Sequence, residues 1–202
     1  MAIIDYPEIL VPNSFNLNLK SNSKMYTSSF NMSTNTHRFP GAHWTATLNF
    51  DTLDNFTIPE MDILQSFIWS LDGVSGRFRI PIFGKRGAPE VGNPVVNGEN
   101  QSGGLLSVRG WEPMELVLAK GSYFRIGEEL KQVNEDVISN AAGIAIMRFH
   151  PWLRSIPSDG DPIVTDAPTG IFRLADNDQG DFSVIEAYQG SVSIAMMEAF
   201  NV

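Results

Sequence analysis

The sequence predicts a mainly β protein of the α+β kind: short strands of a small barrel or sandwich, with one amphipathic helix. Three observations lead there. Apolar and polar residues alternate in several short runs, the period of strands half buried on one face. A single stretch has helical period. Turn residues separate a series of short apolar runs in the middle of the chain, the spacing of a sandwich or barrel.

The elements follow in order. In Phe15-Asn16-Leu17-Asn18-Leu19 the apolar residues fall at i, i+2 and i+4, and Trp44, Ala46, Leu48 and Phe50 repeat that alternation. Two antiparallel strands are expected, with Phe39-Pro40-Gly41 as loop punctuation. Thr57-Ile58-Pro59-Glu60 has the pattern of a capping box, with Thr57 as N-cap and Glu60 at N3. Leu64, Phe67, Ile68 and Leu71 then form one stripe of a helix near 58–72 that Gly73 ends. Gly76 to Ile80 alternates again and predicts a strand carrying Phe78 and Ile80.

From Gly84 to Gly104 periodicity fades into Gly, Pro, Asn and Val, which reads as an extended crossing. Strands are expected at Leu105 to Val108, Leu116 to Leu118, Tyr123 to Ile126, Leu130 to Val133 and Ile144 to Phe149. A second crossing runs from Pro157 to Gly170. Strands return at Ile171 to Leu174, Phe182 to Tyr188 and Val192 to Phe200, with Gln189-Gly190 as a hairpin turn. The candidate core and interface residues are Trp44, Leu48, Phe50, Leu64, Phe67, Ile68, Leu71, Phe78, Ile80, Phe172, Leu174, Ile194 and Met196.

Composition excludes several functions. With 14 Lys plus Arg against 23 Asp plus Glu in 202 residues, the net charge is −9, which repels phosphate backbones and anionic lipid. No specific nucleic acid and no membrane is expected as a partner. The absence of cysteine removes disulfides, thiolate nucleophiles and Cys-type metal sites. No apolar run has the 18 or so residues of a membrane helix, and Met1 to Pro7 lacks the basic and apolar regions of a secretory signal. Only 18% of residues are charged, which leaves neutral surface for neighbours to cover.

Catalytic patterns are not found. His37, His43 and His150 lack ligand spacing and read as loop or surface histidines. Gly73-Val74-Ser75-Gly76 and Gly190-Ser191-Val192-Ser193 lack the second glycine of a nucleophile elbow. Glu128-Glu129 reads as a solvated turn, because strand neighbours point to opposite faces. Asp159-Gly160-Asp161 lacks the other ligands of a calcium loop. The glycines from Asn97 to Gly104 match no phosphate-binding loop. Trp44, Trp69, Trp111 and Trp152 are scattered, and packing is their default role. No enzyme, no cofactor and no metal site is expected.

The ordered series of segments nevertheless resembles phage tail proteins of the distal-tail type, including those of gene transfer agents. The resemblance rests on the Trp44 to Phe50 strand, on the helix running into Gly73 to Ile80, and on the ending Ala195-Met196-Met197-Glu198-Ala199-Phe200. It also rests on the middle series Val95 to Gly103, Arg109-Gly110-Trp111, Gly121 to Gly127, Asp136 to Gly143, Pro151 to Arg154 and Pro168 to Leu174. It implies a tube-like, ring-forming β domain from residues 1–86 and 166–202, with 87–165 inserted as a small β-barrel or sandwich module. It further implies a structural virion protein: a baseplate ring, usually hexameric, joining the tail tube to the tail-tip hub. Its partners would be copies of itself, the tail-tube protein and the hub protein, and its location the virion tail. The alternatives are a carbohydrate-binding adhesin module using Trp111 or Trp152, a tail-tube or head-to-tail connector subunit, and, last in order, a tail-associated hydrolase whose carboxylates would be Glu128 or Asp161. If the ring surrounds the DNA path, an acidic subunit would let the genome slide.

Overall fold

In the computed structural model, which describes residues 2–54, 57–84, 91–186 and 189–200, the chain is mainly β with one α-helix among the described residues. The first strands are β1 (Ile3–Asp5), β2 (Ser14–Lys20), β3 (Ser23–Thr27), β4 (Thr34–Arg38) and β5 (His43–Asp54). The helix α1 (Glu60–Ser70) and β6 (Arg77–Pro81) follow. Then come β7 (Gly92–Val96), β8 (Leu105–Trp111), β9 (Leu116–Leu118), β10 (Tyr123–Ile126), β11 (Glu129–Val133), β12 (Val137–Ile138), β13 (Ile144–His150) and β14 (Ile163–Val164). The chain ends with β15 (Thr169–Leu174), β16 (Ser183–Glu186) and β17 (Gln189–Glu198).

Both ends of the chain build one sheet, in the order β1-β6-β15-β17-β5-β2, with β16 paired to β17. Only β1 and β6 run parallel. The antiparallel pairing of β2 with β5, Phe15 opposite Leu48 and Leu19 opposite Trp44, matches the alternation in both segments. Trp44, Ala46, Leu48 and Phe50 are buried on one face, against α1. Leu64, Phe67, Ile68 and Leu71 face them, and the ring of Phe67 meets Tyr6 and Phe78 edge to face at 5.5 and 5.4 Å. Phe78, Ile80, Phe172, Leu174, Ile194 and Met196 complete this first core. All thirteen candidate core residues lie inside it, so none of them is surface that a neighbour could reach.

The helix begins differently from its expected cap. Pro59 sits at the N-cap, no side chain caps it, and Glu60 is the first helical residue instead of N3. Proline there fixes φ near its ring value, and the amide of Ile63 bonds Pro59 O at 2.9 Å. The helix ends at Ser70, and Asp72, with φ +50°, reverses the chain ahead of Gly73.

The second sheet has the order β14-β10-β11-β13-β8-β7 and is nearly closed. Its outer strands meet where Val95 bridges Pro162, Val96 N–H donates to Asp161 O at 2.9 Å and Gly160 N–H donates to Val96 O at 3.0 Å. The two segments expected as plain crossings therefore each contribute a strand, β7 and β14, and together they close a barrel. Glycine permits the tight approach: Gly110 has φ +91°, and a Cβ there would stand 2.3 Å from Asn93 O. Val96, Leu106, Val108, Trp111, Phe124, Met147 and Phe149 fill the interior, and the small pair β9 with β12 adds Val117, Leu118 and Val137.

Two further expectations are corrected. Gln189 and Gly190 are not a turn but the first residues of β17, Gly190 lying opposite Leu53. Residues 187 and 188, between β16 and β17, lie outside the described residues, and with them Tyr188 of the expected strand. Between β2 and β5 an unanticipated hairpin, β3 with β4, stands with all its strand residues exposed. No helix among the described residues is long and apolar enough to cross a membrane.

Candidate functional site

The densest polar arrangement is the seam where the barrel meets the sheet. From the sheet come Trp44, Arg79 and Glu198, and from the residues flanking its strands Ala42 and Phe200. Trp44 lies at the start of β5, where alternation turns its indole inward, and its Nε1 donates to Leu130 O of the barrel at 3.0 Å. The backbone N–H of Trp44 donates to Glu198 Oε2 at 3.0 Å. Glu198 is 4% exposed and also receives a two-pronged contact from Arg154, 3.2 Å at each carboxylate oxygen. Planar guanidinium and carboxylate pair well in this way. Arg154 Nη2 further donates to Ala42 O at 2.6 Å, and its Cζ stands 3.5 Å from the centroid of the Phe200 ring.

On the barrel side, β11 explains the geometry. Its residues alternate faces, so Leu130 packs outward into the sheet's core while Lys131, paired with Phe124, turns inward. Lys131 is fully buried, and its Nζ lies 2.6 Å from Glu129 Oε2 and 3.0 Å from Trp152 O. Burial pushes its ammonium below the usual lysine range, and the Glu129 carboxylate only partly offsets that. Burial pushes Glu129 upward, but Lys131 and the Ser155 hydroxyl and amide outweigh it and hold the carboxyl below its ordinary value. Glu129 is thus no solvated turn residue: two positions before Lys131, it shares that residue's strand face. Glu128 does occupy the turn, where Arg79 Nη2 reaches both of its oxygens at 3.0 Å across the seam.

A cleft of about 280 Å³ lies over this network, lined by Glu128, Glu129, Arg154, Ser155, Glu198, Ala199 and Phe200. Each of its charged side chains has a partner of opposite sign. Such a set positions two bodies against each other; the hydroxyl in the cleft, Ser155 Oγ, donates to Glu129 Oε1 at 2.6 Å, and that carboxylate is already paired with Lys131.

The other singled-out residues are dispersed. His37 sits on β4 with its ring 5.9 Å from Tyr26, His43 Nδ1 is 3.2 Å from Gly41 O, and His150 ends β13. Among the described residues no three His, Asp or Glu side chains are grouped to hold a metal ion. Ser75 Oγ donates to Asp72 O and Ser193 Oγ to Asn49 Oδ1, both at 2.7 Å. Asp159 pairs with Arg109 and accepts from Gly98 N–H at 2.8 Å, which ties the loop after β7 to the barrel's closure. These contacts hold its carboxyl below the usual range. Trp111 is 4% exposed and cannot be a glycan platform, Trp69 is exposed on α1, and Trp152 is exposed with the Arg38 guanidinium 4.4 Å from its ring centroid.

A second cleft, of about 410 Å³, lies beside β1 and includes Asp5, Tyr6, Glu8, Pro81 and Phe83. Ile9 and Val11 are exposed in the adjoining turn. The Tyr6 hydroxyl is buried with no partner among the described residues, and burial raises its pKa well above the usual phenol range.

No protein-family model matches the chain, and no curated protein matches it.

Proposed function

We propose that the chain is a structural, non-enzymatic protein of a phage tail: a distal-tail or baseplate ring subunit joining the tail tube to the tail-tip hub. The observation that carries this reading is the architecture. One sheet made from both chain ends holds a barrel between its strands β6 and β15, and a polar seam fixes the two to each other. The sheet's outer strands, β1 and β2, each pair on one side only among the described residues. Open edges of that kind are stable in a soluble protein when a neighbour covers them. Ring closure by identical copies does so without leaving an end. The ordered segments that resemble distal-tail proteins supply the identity of the ring.

The test is the mass of the purified protein and its place in the particle. A closed oligomer, and density at the tube-to-hub junction in electron cryomicroscopy of the virion, are expected. A strictly monomeric species at high concentration, alone and with the tail-tube and hub proteins, would refute the ring. Density at the head-to-tail junction would favour the connector reading. The adhesin reading retains Trp152, beside a cleft of about 250 Å³ that Arg38 and Arg154 also line. Glycan binding lost in Trp152→Ala would support it.

A further inference from the structure

We propose that the β3–β4 hairpin is an arm that seats in the acidic, apolar cleft beside β1 of a second copy of this chain. This rests on the ring reading and adds which two surfaces meet.

The hairpin buries nothing of its own. Every residue of β3 and β4 is exposed, and an isolated two-stranded hairpin is marginally stable in water. It nevertheless has a defined shape. Ser28 N–H donates to Ser33 O at 2.8 Å, Met32 N–H to Ser28 O at 3.0 Å, and Met32 holds a positive φ of 56°. That tip displays Phe30 at 101% exposure and Met32 at 75%, with Met25 at 68% and Tyr26 at 54% along the strands. Large apolar side chains grouped on a protruding element mark an interaction surface.

Charge selects the occupant. No acidic residue occurs between Glu8 and Asp51, whereas Lys20, Lys24 and Arg38 fall there. That stretch carries +3 of a total of −9, so the rest of the chain carries −12. A basic, apolar arm on an acidic body is complementary to another copy of that body. The cleft beside β1 is lined by Asp5, Glu8 and Arg79, whose Nε lies 3.7 Å from Asp5 Oδ1, so Glu8 gives it a net negative charge, and Tyr6, Pro81 and Phe83 form its apolar lining. Its position also fits. The arm continues from β2 and the cleft adjoins β1, and these are the two outer strands of one sheet. Unlike surfaces at the two edges make a head-to-tail contact, the kind that repeats around a ring.

The experiment is sedimentation velocity on the full chain across protein and salt concentration, with charge reversals on each side. Lys20→Glu with Lys24→Glu, and separately Asp5→Lys with Glu8→Lys, should each weaken self-association about tenfold or more. Combining all four in one chain should restore it. Phe30→Ser, at an exposed site, should weaken it without unfolding the protein. An assembled wild type that none of these variants weakens would overturn the arm and leave the ring standing. A monomeric wild type, alone and with its tail partners, would overturn both. Retention of double-stranded DNA that the arm reversal abolishes, with self-association unchanged, would show that the arm serves a polyanion and would overturn the second copy as occupant.

Discussion

The ammonium of Lys131, fully buried inside the barrel, lies 2.6 Å from the carboxylate of Glu129, two residues earlier on the same strand face. A buried charge tolerates its partner's loss poorly. Glu129→Ala leaves an uncompensated ammonium, and a loss of about 3–5 kcal/mol is expected in urea unfolding. Glu129→Gln combined with Lys131→Met removes both charges together and should be neutral to stabilising. Equal destabilisation by both would show that the pair itself, and not the orphaned charge, carries the energy.

The same pair sets an acid limit. Glu129 has its carboxyl held below the ordinary value of 4.5, so the folded state binds its proton less readily than the unfolded chain does. Its contribution is fully present above that value and is lost as pH falls through the lower, folded value. Thermal unfolding temperature should therefore fall below about pH 4.5, and the fall should be shallower in a Glu129→Gln, Lys131→Met double variant, which has no proton to take up. A parallel fall in wild type and variant would place the acid sensitivity elsewhere.

Closure of the barrel depends on backbone approach at Gly110. Its φ of +91° disfavours any side chain, and an added Cβ would meet Asn93 O at 2.3 Å, a contact with backbone that cannot rotate away. Gly110→Ala should cost about 2 kcal/mol or more. Gly98→Ala, with φ +99° but open space around it, should cost less, since only the backbone strain remains. Denaturation of the two variants side by side separates collision from strain.

Much of this fold is legible because burial writes a period into the sequence. Phe15, Leu17 and Leu19, and Trp44 through Phe50, alternate since one face of each strand meets the core. The hairpin Ser23–Thr27 with Thr34–Arg38 buries no face and so leaves no alternation, yet the acid-free stretch around it was a signal of a different kind. β12 and β14, two residues each, are too short for any period, and Pro94 obscures β7. The seam was half visible. Glu129-Leu130-Lys131 spaces opposite charges by two around an apolar residue, which on a strand places the pair on one face. Attention to the adjacent Glu128-Glu129 hides that spacing. Arg154 and Glu198 are 44 residues apart, and only the folded chain brings them together.

That distant pair predicts how the two bodies are coupled. Arg154→Ala removes the guanidinium from Glu198, which keeps the Trp44 N–H but loses its ion partner at 4% exposure. A loss of about 2 kcal/mol or more is expected. Trp44→Phe removes only the indole hydrogen bond to Leu130 O and some packing, and should cost about 1 kcal/mol or somewhat more. Because Arg154 and Trp44 bridge the barrel and the sheet, unfolding followed by near-ultraviolet and far-ultraviolet dichroism should separate into two transitions in the combined variant. Coincident transitions would mean that Leu130 and Tyr123, packed into the sheet's core, couple the two bodies without the polar seam.

The hairpin supplies a contrast between residues that hold the chain's own core together and residues that face outward. Leu64 is fully buried beneath the sheet, and Leu64→Ala should cost about 2–5 kcal/mol through the cavity it leaves. Phe30 is fully exposed at the arm's tip, and Phe30→Ser should change the stability of the monomeric chain by no more than about 0.5 kcal/mol. An aromatic side chain held in water by a defined turn, whose removal costs the fold little, is what the proposed arm contact requires. Measured destabilisation of the monomer by Phe30→Ser above about 1 kcal/mol would instead mean that the arm folds back onto its own chain in solution, and the exposed tip would lose its meaning as a contact surface.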